Sequence, residues 1–137
     1  MDRCVSTSYL DKMADRGNLW AITELAMLHL KGKGVPEDQH KGRYFLITAG
    51  LGYDRLAACR IALYFHYGRY GFQQEPGTAI VWRDKATRWL ESDAALIYDD
   101  PEMARRAQRR YQKWRAVYAR VWGESVQESV RNMDCRI

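Results

Sequence analysis

Three cysteines and three histidines are the residues of this sequence best suited to nucleophilic or metal chemistry. They are Cys4, Cys59 and Cys135, with His29, His40 and His66. Cys59 and His66 would lie two turns apart on one helix face, but two ligands are too few for a zinc site. No motif places a histidine base beside a cysteine thiolate. We therefore expect no metal, no cofactor and no cysteine nucleophile.

Two further motifs resemble functional sites but are better explained by helix boundaries. Gly32-Lys33-Gly34 lacks the spacing of a phosphate-binding loop and follows a predicted helix, where such a loop requires a strand. Asp99 and Asp100 precede Pro101 and suit a helix start better than a general acid and base. The sequence therefore predicts a protein that is not an enzyme.

The length and composition are those of one globular domain, residues 1–137, with 47% hydrophobic residues. The odd number of cysteines without short spacings argues against a disulfide framework. The first residues lack the apolar segment of a secretory signal, and no stretch approaches the roughly 18 apolar residues of a membrane span. We expect a soluble, cytoplasmic protein with no membrane association.

The net charge of +5 is concentrated in the last part of the chain. Residues 1–102 contain 13 basic and 14 acidic side chains, whereas residues 103–137 contain 9 basic and 3 acidic ones. This asymmetry indicates a separate region that either faces solvent or meets an acidic partner.

The sequence is similar to itself at a spacing of one helical hairpin. Residues 21–29 align with residues 57–65 at an offset of 36, and small residues match small residues. The turn that follows has one extra residue in its second copy, so the offset becomes 37 and Phe45 meets Trp82. A partial copy, residues 9–17, precedes both and aligns with residues 44–52 at an offset of 35.

Each copy has the signals of a helix, a turn and a second helix. In the first copy, Asn18 can cap a helix that Gly32 and Gly34 end, and Pro36 and Asp38 open the next one. In the second copy the corresponding residues are Asp54, Gly68, Gly71 and Pro76. We predict two all-helical repeats, residues 18–52 and 53–89, after the partial repeat helix 9–17.

Three features of the copies occur together: Ala21-x-x-x-Leu25-Ala26, the run Gly32-Lys33-Gly34-Val35-Pro36-Glu37-Asp38, and an aromatic residue before Ala49-x-x-Gly52. This pattern, over about residues 9–89, resembles the Sel1-like repeat family. The resemblance implies a short right-handed α/α solenoid, related to tetratricopeptide repeats, that serves as an adaptor or scaffold for other proteins. The family's usual tyrosine is replaced by His29 and Phe65, and Trp89 occupies the position of the closing glycine.

Residues 99–133 are predicted to form a C-terminal capping helical region. Apolar and aromatic side chains recur at three- and four-residue spacing from Met103 to Val121, which predicts one buried face. A basic face lies between them and consists of Arg105, Arg106, Arg109, Arg110 and Lys113. This face is either a docking site for nucleic acid or an acidic partner, or the solvated side of a capping helix, and we favour the second interpretation.

The resemblance also implies that the first helices of the repeats line a concave groove that binds a partner protein. The residues expected there are Trp20, Thr23, Met27, Leu30, Leu56, Cys59, Leu63, His66 and Tyr67. Either the tail helix folds over this apolar groove or an external helix or loop occupies it. In the first case, binding would move to the loops 31–38 and 67–75 or to the basic face.

The predicted function is therefore that of a scaffold or adaptor that binds another protein. An alternative is an immunity or antitoxin role, because some single-domain proteins that resemble this family neutralise a cognate toxin. Nucleic-acid binding through the basic face is the less favoured hypothesis.

Overall fold

A computed structural model describes the backbone of residues 7–134 and the side chains of residues 7–123. Cys4 and Cys135 lie outside these residues. The described chain forms six α-helices and no strand: α1 Thr7–Asp15, α2 Leu19–Lys31, α3 Gln39–Leu51, α4 Arg55–Tyr67, α5 Pro76–Ala95 and α6 Pro101–Asp134. Helix α6 is interrupted at Gly123, whose φ of 65° and ψ of −160° are not helical. In the described part, no helix combines the length and apolar character that a bilayer crossing requires.

The predicted starts of α2 and α4 are confirmed by their caps. Asn18 Oδ1 accepts a hydrogen bond from the Ala21 amide at 2.9 Å, and Asp54 Oδ2 accepts one from the Ala57 amide at 3.0 Å. These side chains satisfy an amide of the first turn, which has no partner within its own helix.

The turns that follow α2 and α4 have nearly the same backbone geometry. Gly32 and Gly68 adopt φ values of 67° and 71°, a left-handed conformation that glycine takes without steric cost. The Asp38 amide then donates to the His29 carbonyl, and the Glu75 amide donates to the Phe65 carbonyl, both at 2.9 Å. The donors are 37 residues apart and the acceptors 36, so the extra residue of the second turn lies inside this closed loop.

The turn between α1 and α2 has the same hydrogen bond as the turn between α3 and α4, at an offset of 36. The Asn18 amide donates to Met13 O and the Asp54 amide to Ala49 O, both at 3.0 Å. Gly17 and Tyr53 precede the two caps with φ values of 82° and 74°. The predicted offset of 35 is therefore wrong at this turn: the sequence alignment matched Gly17 with Gly52, whereas a tyrosine occupies the equivalent left-handed position.

Small residues bring helices α2, α3 and α4 close together. A Cβ added at Gly42 would lie 2.6 Å from Leu30 of α2, and one added at Gly50 would lie 2.7 Å from Ile61 of α4 and 2.9 Å from Trp82 of α5. Leu46 and Ile61 are completely buried. These contacts form the core that holds the two hairpins against each other.

Helix α5 does not end at Trp89, where the sequence predicts the end of the repeat. Tryptophan continues a helix where the expected glycine would stop it, and α5 runs to Ala95. The contacts of the chain divide into two compact units, with the boundary between Ala86 and Thr87. From the sequence, a single domain, residues 1–137, is predicted.

Within the second unit, α6 runs antiparallel to the last turns of α5. Trp114 Nε1 donates to Thr87 Oγ1 at 2.8 Å, and the Tyr111 hydroxyl donates to Glu91 at 3.0 Å. Of the apolar face predicted for this helix, Ala107, Trp114 and Tyr118 are buried, whereas half of the Met103 surface is exposed. The predicted start is confirmed, because Asp100 Oδ1 accepts from the Glu102 amide at 2.9 Å.

Candidate functional site

Three of the residues predicted to line a groove are instead buried between helices. Thr23 Oγ1 donates a hydrogen bond of 2.7 Å to Asp54 Oδ2, at the start of α4. The Tyr64 hydroxyl of α4 donates to Met27 Sδ at 3.6 Å, and Leu30 packs against Gly42 of α3. Thr23, Met27 and Leu30 therefore hold neighbouring helices together and do not line an open surface, which corrects their assignment to the groove.

Other predicted groove residues remain accessible on the first helices of the two hairpins. The exposed fractions are 44% for Trp20, 46% for Leu56 and 51% for Tyr67, and Leu63 is partly buried. Leu56, Leu63 and Tyr67 share one face of α4, because seven and eleven residues correspond to about two and three helical turns. Trp20 occupies on α2 the position that Leu56 occupies on α4. We call these four residues the first-helix surface.

The remaining groove candidates, His66 and Cys59, lie beside this surface on α4. The His66 ring packs edge-on against Tyr67 with centroids 4.7 Å apart, and its side chain is partly buried. Cys59 is only 9% exposed and belongs to the buried side of α4, which also corrects its assignment to the groove. Burial raises the pKa of the Cys59 thiol to about 12, so the side chain stays protonated and behaves as a small apolar group.

We expect Cys59 to resist alkylation in the folded protein. In a Cys4→Ser/Cys135→Ser background, iodoacetamide should react about a thousandfold more slowly than after denaturation, because a pKa about three units higher lowers the thiolate fraction by that factor. Mass spectrometry of quenched samples measures the two rates. Comparable rates in the folded and the denatured protein would show that this thiol is accessible and ionised.

The predicted basic face is exposed, and the carboxylate of Glu102 forms ion pairs with three of its arginines. Glu102 pairs with Arg105 at 2.9 Å, with Arg106 at 3.4 Å and with Arg109 at 3.2 Å. The hydrogen bond from Arg105, followed by that from Arg109, lowers the pKa of the Glu102 carboxyl below its usual value. Sequence reasoning identified these basic residues and assigned Glu102 only to the helix start.

The same face contains an open depression of about 510 Å³. Its charged lining is entirely basic, and two amides complete it; the residues are Arg106, Gln108, Arg109, Arg110, Gln112 and Lys113. Gln108 is held in place because its amide donates to the Ala94 carbonyl at 2.8 Å. The side chains that line the depression are exposed and end in guanidinium, ammonium and amide groups.

The loop 67–75, which the sequence analysis gives as a possible binding segment, is held by an arginine that the sequence did not indicate. Arg43 of α3 donates from Nη1 to the Tyr70 carbonyl at 3.2 Å. Gly71, with a φ of 79°, lies directly against this guanidinium, and a side chain there would collide with it. The loop glycine was recognised as a helix breaker, but nothing in its local sequence indicates the distant arginine.

Among the residues that the structure describes, no group of three or more histidine, cysteine, aspartate or glutamate side chains could hold a metal ion. Comparisons of the chain with known protein families, curated proteins and solved structures found no match. The helices and their contacts define the class of the described part of the chain: an all-helical protein with packed neighbouring helices.

Proposed function

We propose that this protein is a scaffold or adaptor of the Sel1-like type, whose helical hairpins form a short solenoid and bind a partner protein. The equivalent caps and turns at offsets of 36 and 37 support the repeat architecture, because each hairpin reuses the same hydrogen bonds. The cysteine pattern supports a cytoplasmic location.

The observation that carries the proposal is the first-helix surface. Trp20, Leu56 and Tyr67 expose about half of their surfaces. Trp20 and Leu56 occupy equivalent positions of α2 and α4, and Tyr67 shares the face of Leu56 on α4. Accessible aromatic and large aliphatic side chains are typical of protein interfaces, where they supply much of the binding energy. The polar and charged residues of the neighbouring turns, Lys31 to Asp38, would form the rim of such an interface.

The proposal is tested by affinity purification from the native host, followed by titration of the recovered partner against purified variants. The double variant Leu56→Asp/Tyr67→Asp introduces two charges on the first-helix surface. We expect it to weaken the complex by at least about tenfold, because a charge in the centre of an apolar interface loses its hydration without gaining a partner.

Helix α3 offers a control of identical chemistry. Leu51 and Tyr44 are 64% and 66% exposed, so the variant Tyr44→Asp/Leu51→Asp makes the same substitutions away from the first helices. It should bind the partner like the unmodified protein, and circular dichroism should show both variants folded. Equal losses in the two variants, or no loss in either, would contradict an interface on the first-helix surface.

A further inference from the structure

The charge of helix α6 has one sign over most of its described length. After Glu102, residues 103–123 contain seven basic and no acidic side chains. On the basic face, Arg105, Arg106 and Arg109 keep 61%, 64% and 63% of their side-chain surfaces exposed although all three pair with Glu102. A single carboxylate therefore leaves an excess of positive charge that remains open to solvent.

Two basic residues extend this face beyond the reach of Glu102. Arg110 and Lys113 are exposed and line the depression, and no acidic partner of either lies among the described residues. Because residues 106, 109, 110 and 113 follow three- and four-residue spacing, their side chains share one side of the helix over about 10 Å.

Glu102 shows what kind of group these arginines accept. Its two carboxylate oxygens receive charge-assisted hydrogen bonds from three guanidinium groups, with Oε1 bound by Arg105 and Oε2 by Arg106 and Arg109. These three arginines are thus already arranged around a carboxylate, and Arg110 and Lys113 follow on the same side of the helix.

The aromatic residues of α6 are not placed to bind nucleobases on this face. Trp114 and Tyr118 are buried, Trp122 packs against them with centroids 6.2 and 5.6 Å away, and Tyr111 donates to Glu91. Single-stranded nucleic acid is usually held by exposed aromatic platforms next to basic side chains. Residues 1–102 have 13 basic and 14 acidic side chains, so a long polyanion would gain no attraction beyond the tail.

From these observations we infer that the basic face is a second docking surface, which binds a short glutamate- or aspartate-rich segment of a partner protein. The carboxylates of that segment pair with Arg106, Arg109, Arg110 and Lys113, and Glu102 competes with them as an intramolecular ligand. This site lies on α6 and is independent of the first-helix surface.

A fluorescein-labelled peptide of about eight glutamates is the probe, since its extended length of about 25 Å exceeds that of the basic face. Fluorescence anisotropy with the full chain measures its affinity. We expect Arg110→Glu/Lys113→Glu to weaken binding by at least about tenfold, and Glu102→Gln to strengthen it about two- to fivefold by removing the competitor. Raising the salt from about 50 to about 300 mM should weaken binding by the unmodified protein.

The matched control is Lys31→Glu/Lys33→Glu, which changes the net charge equally at exposed positions outside α6. It should bind the peptide within about twofold of the unmodified protein, as should Leu56→Asp/Tyr67→Asp, so that failure of one docking surface is distinguishable from failure of the other. The inference is overturned if the peptide does not bind, if both charge-reversed variants lose affinity equally, or if Glu102→Gln weakens binding. Tighter binding of a single-stranded or duplex DNA of equal charge, lost in Arg110→Glu/Lys113→Glu, would also overturn it in favour of a nucleic-acid site.

Discussion

Truncation of Ile61 to alanine is expected to lower the free energy of unfolding by about 2–5 kcal/mol. Ile61 is completely buried, and its Cδ1 atom would lie only 2.7 Å from a Cβ added at Gly50, so it fills the space between α3 and α4. Removal of three carbon atoms leaves a cavity that the rigid backbone of the two helices closes only in part. Urea denaturation followed by circular dichroism measures the change.

Ile80 supplies the control for this prediction, because it is an isoleucine of a neighbouring helix that is 39% exposed. Ile80→Ala should cost less than about 1 kcal/mol, since the side chain has less contact to lose. Similar losses at the two positions would mean that Ile61 is not part of a tightly packed core.

The second large effect is expected at Gly71, where alanine should lower the free energy of unfolding by about 2–4 kcal/mol. One contribution is the left-handed backbone, with a φ of 79°, and the other is the displacement of the flexible end of Arg43, which a Cβ at this position would meet. Displacement of this guanidinium also breaks its hydrogen bond to the Tyr70 carbonyl. Thermal and urea denaturation report the loss.

Gly34 allows the two contributions to be separated. It has a φ of 77°, but a Cβ added there meets no atom within 4 Å. Gly34→Ala should therefore cost only the backbone strain of about 1–2 kcal/mol. If Gly71→Ala were no more destabilising than Gly34→Ala, the contact with Arg43 would contribute nothing to the loop.

The features predicted correctly from the sequence are those that local interactions determine. Asn18 and Asp54 cap their helices through amides three residues away, and Gly32 and Gly68 end theirs because of their own φ angles. The extra residue of the second turn is visible as a change of offset, because the hydrogen bond that closes the turn joins equivalent residues before and after it. Such features require knowledge of only a few consecutive residues.

The incorrect predictions depended on which helix lies beside which. Thr23 and Met27 fit an accessible stripe when α2 is considered alone, but α4 covers them through Asp54 and Tyr64. The left-handed backbone of Tyr53 is also set by its surroundings, because tyrosine has no preference for that conformation. The basic face could be found from spacing alone, whereas the sharing of Glu102 by three arginines required their side-chain positions.

The double role of Asp54 makes the two hairpins cooperative. Its Oδ2 atom accepts both the Ala57 amide, which starts α4, and the hydroxyl of Thr23 in the middle of α2. Fraying of the first turn of α4 therefore also removes the acceptor of a buried hydroxyl on the preceding hairpin, and an unpaired buried hydroxyl is costly. Opening of one hairpin thus weakens the other, so that neighbouring units gain their stability jointly.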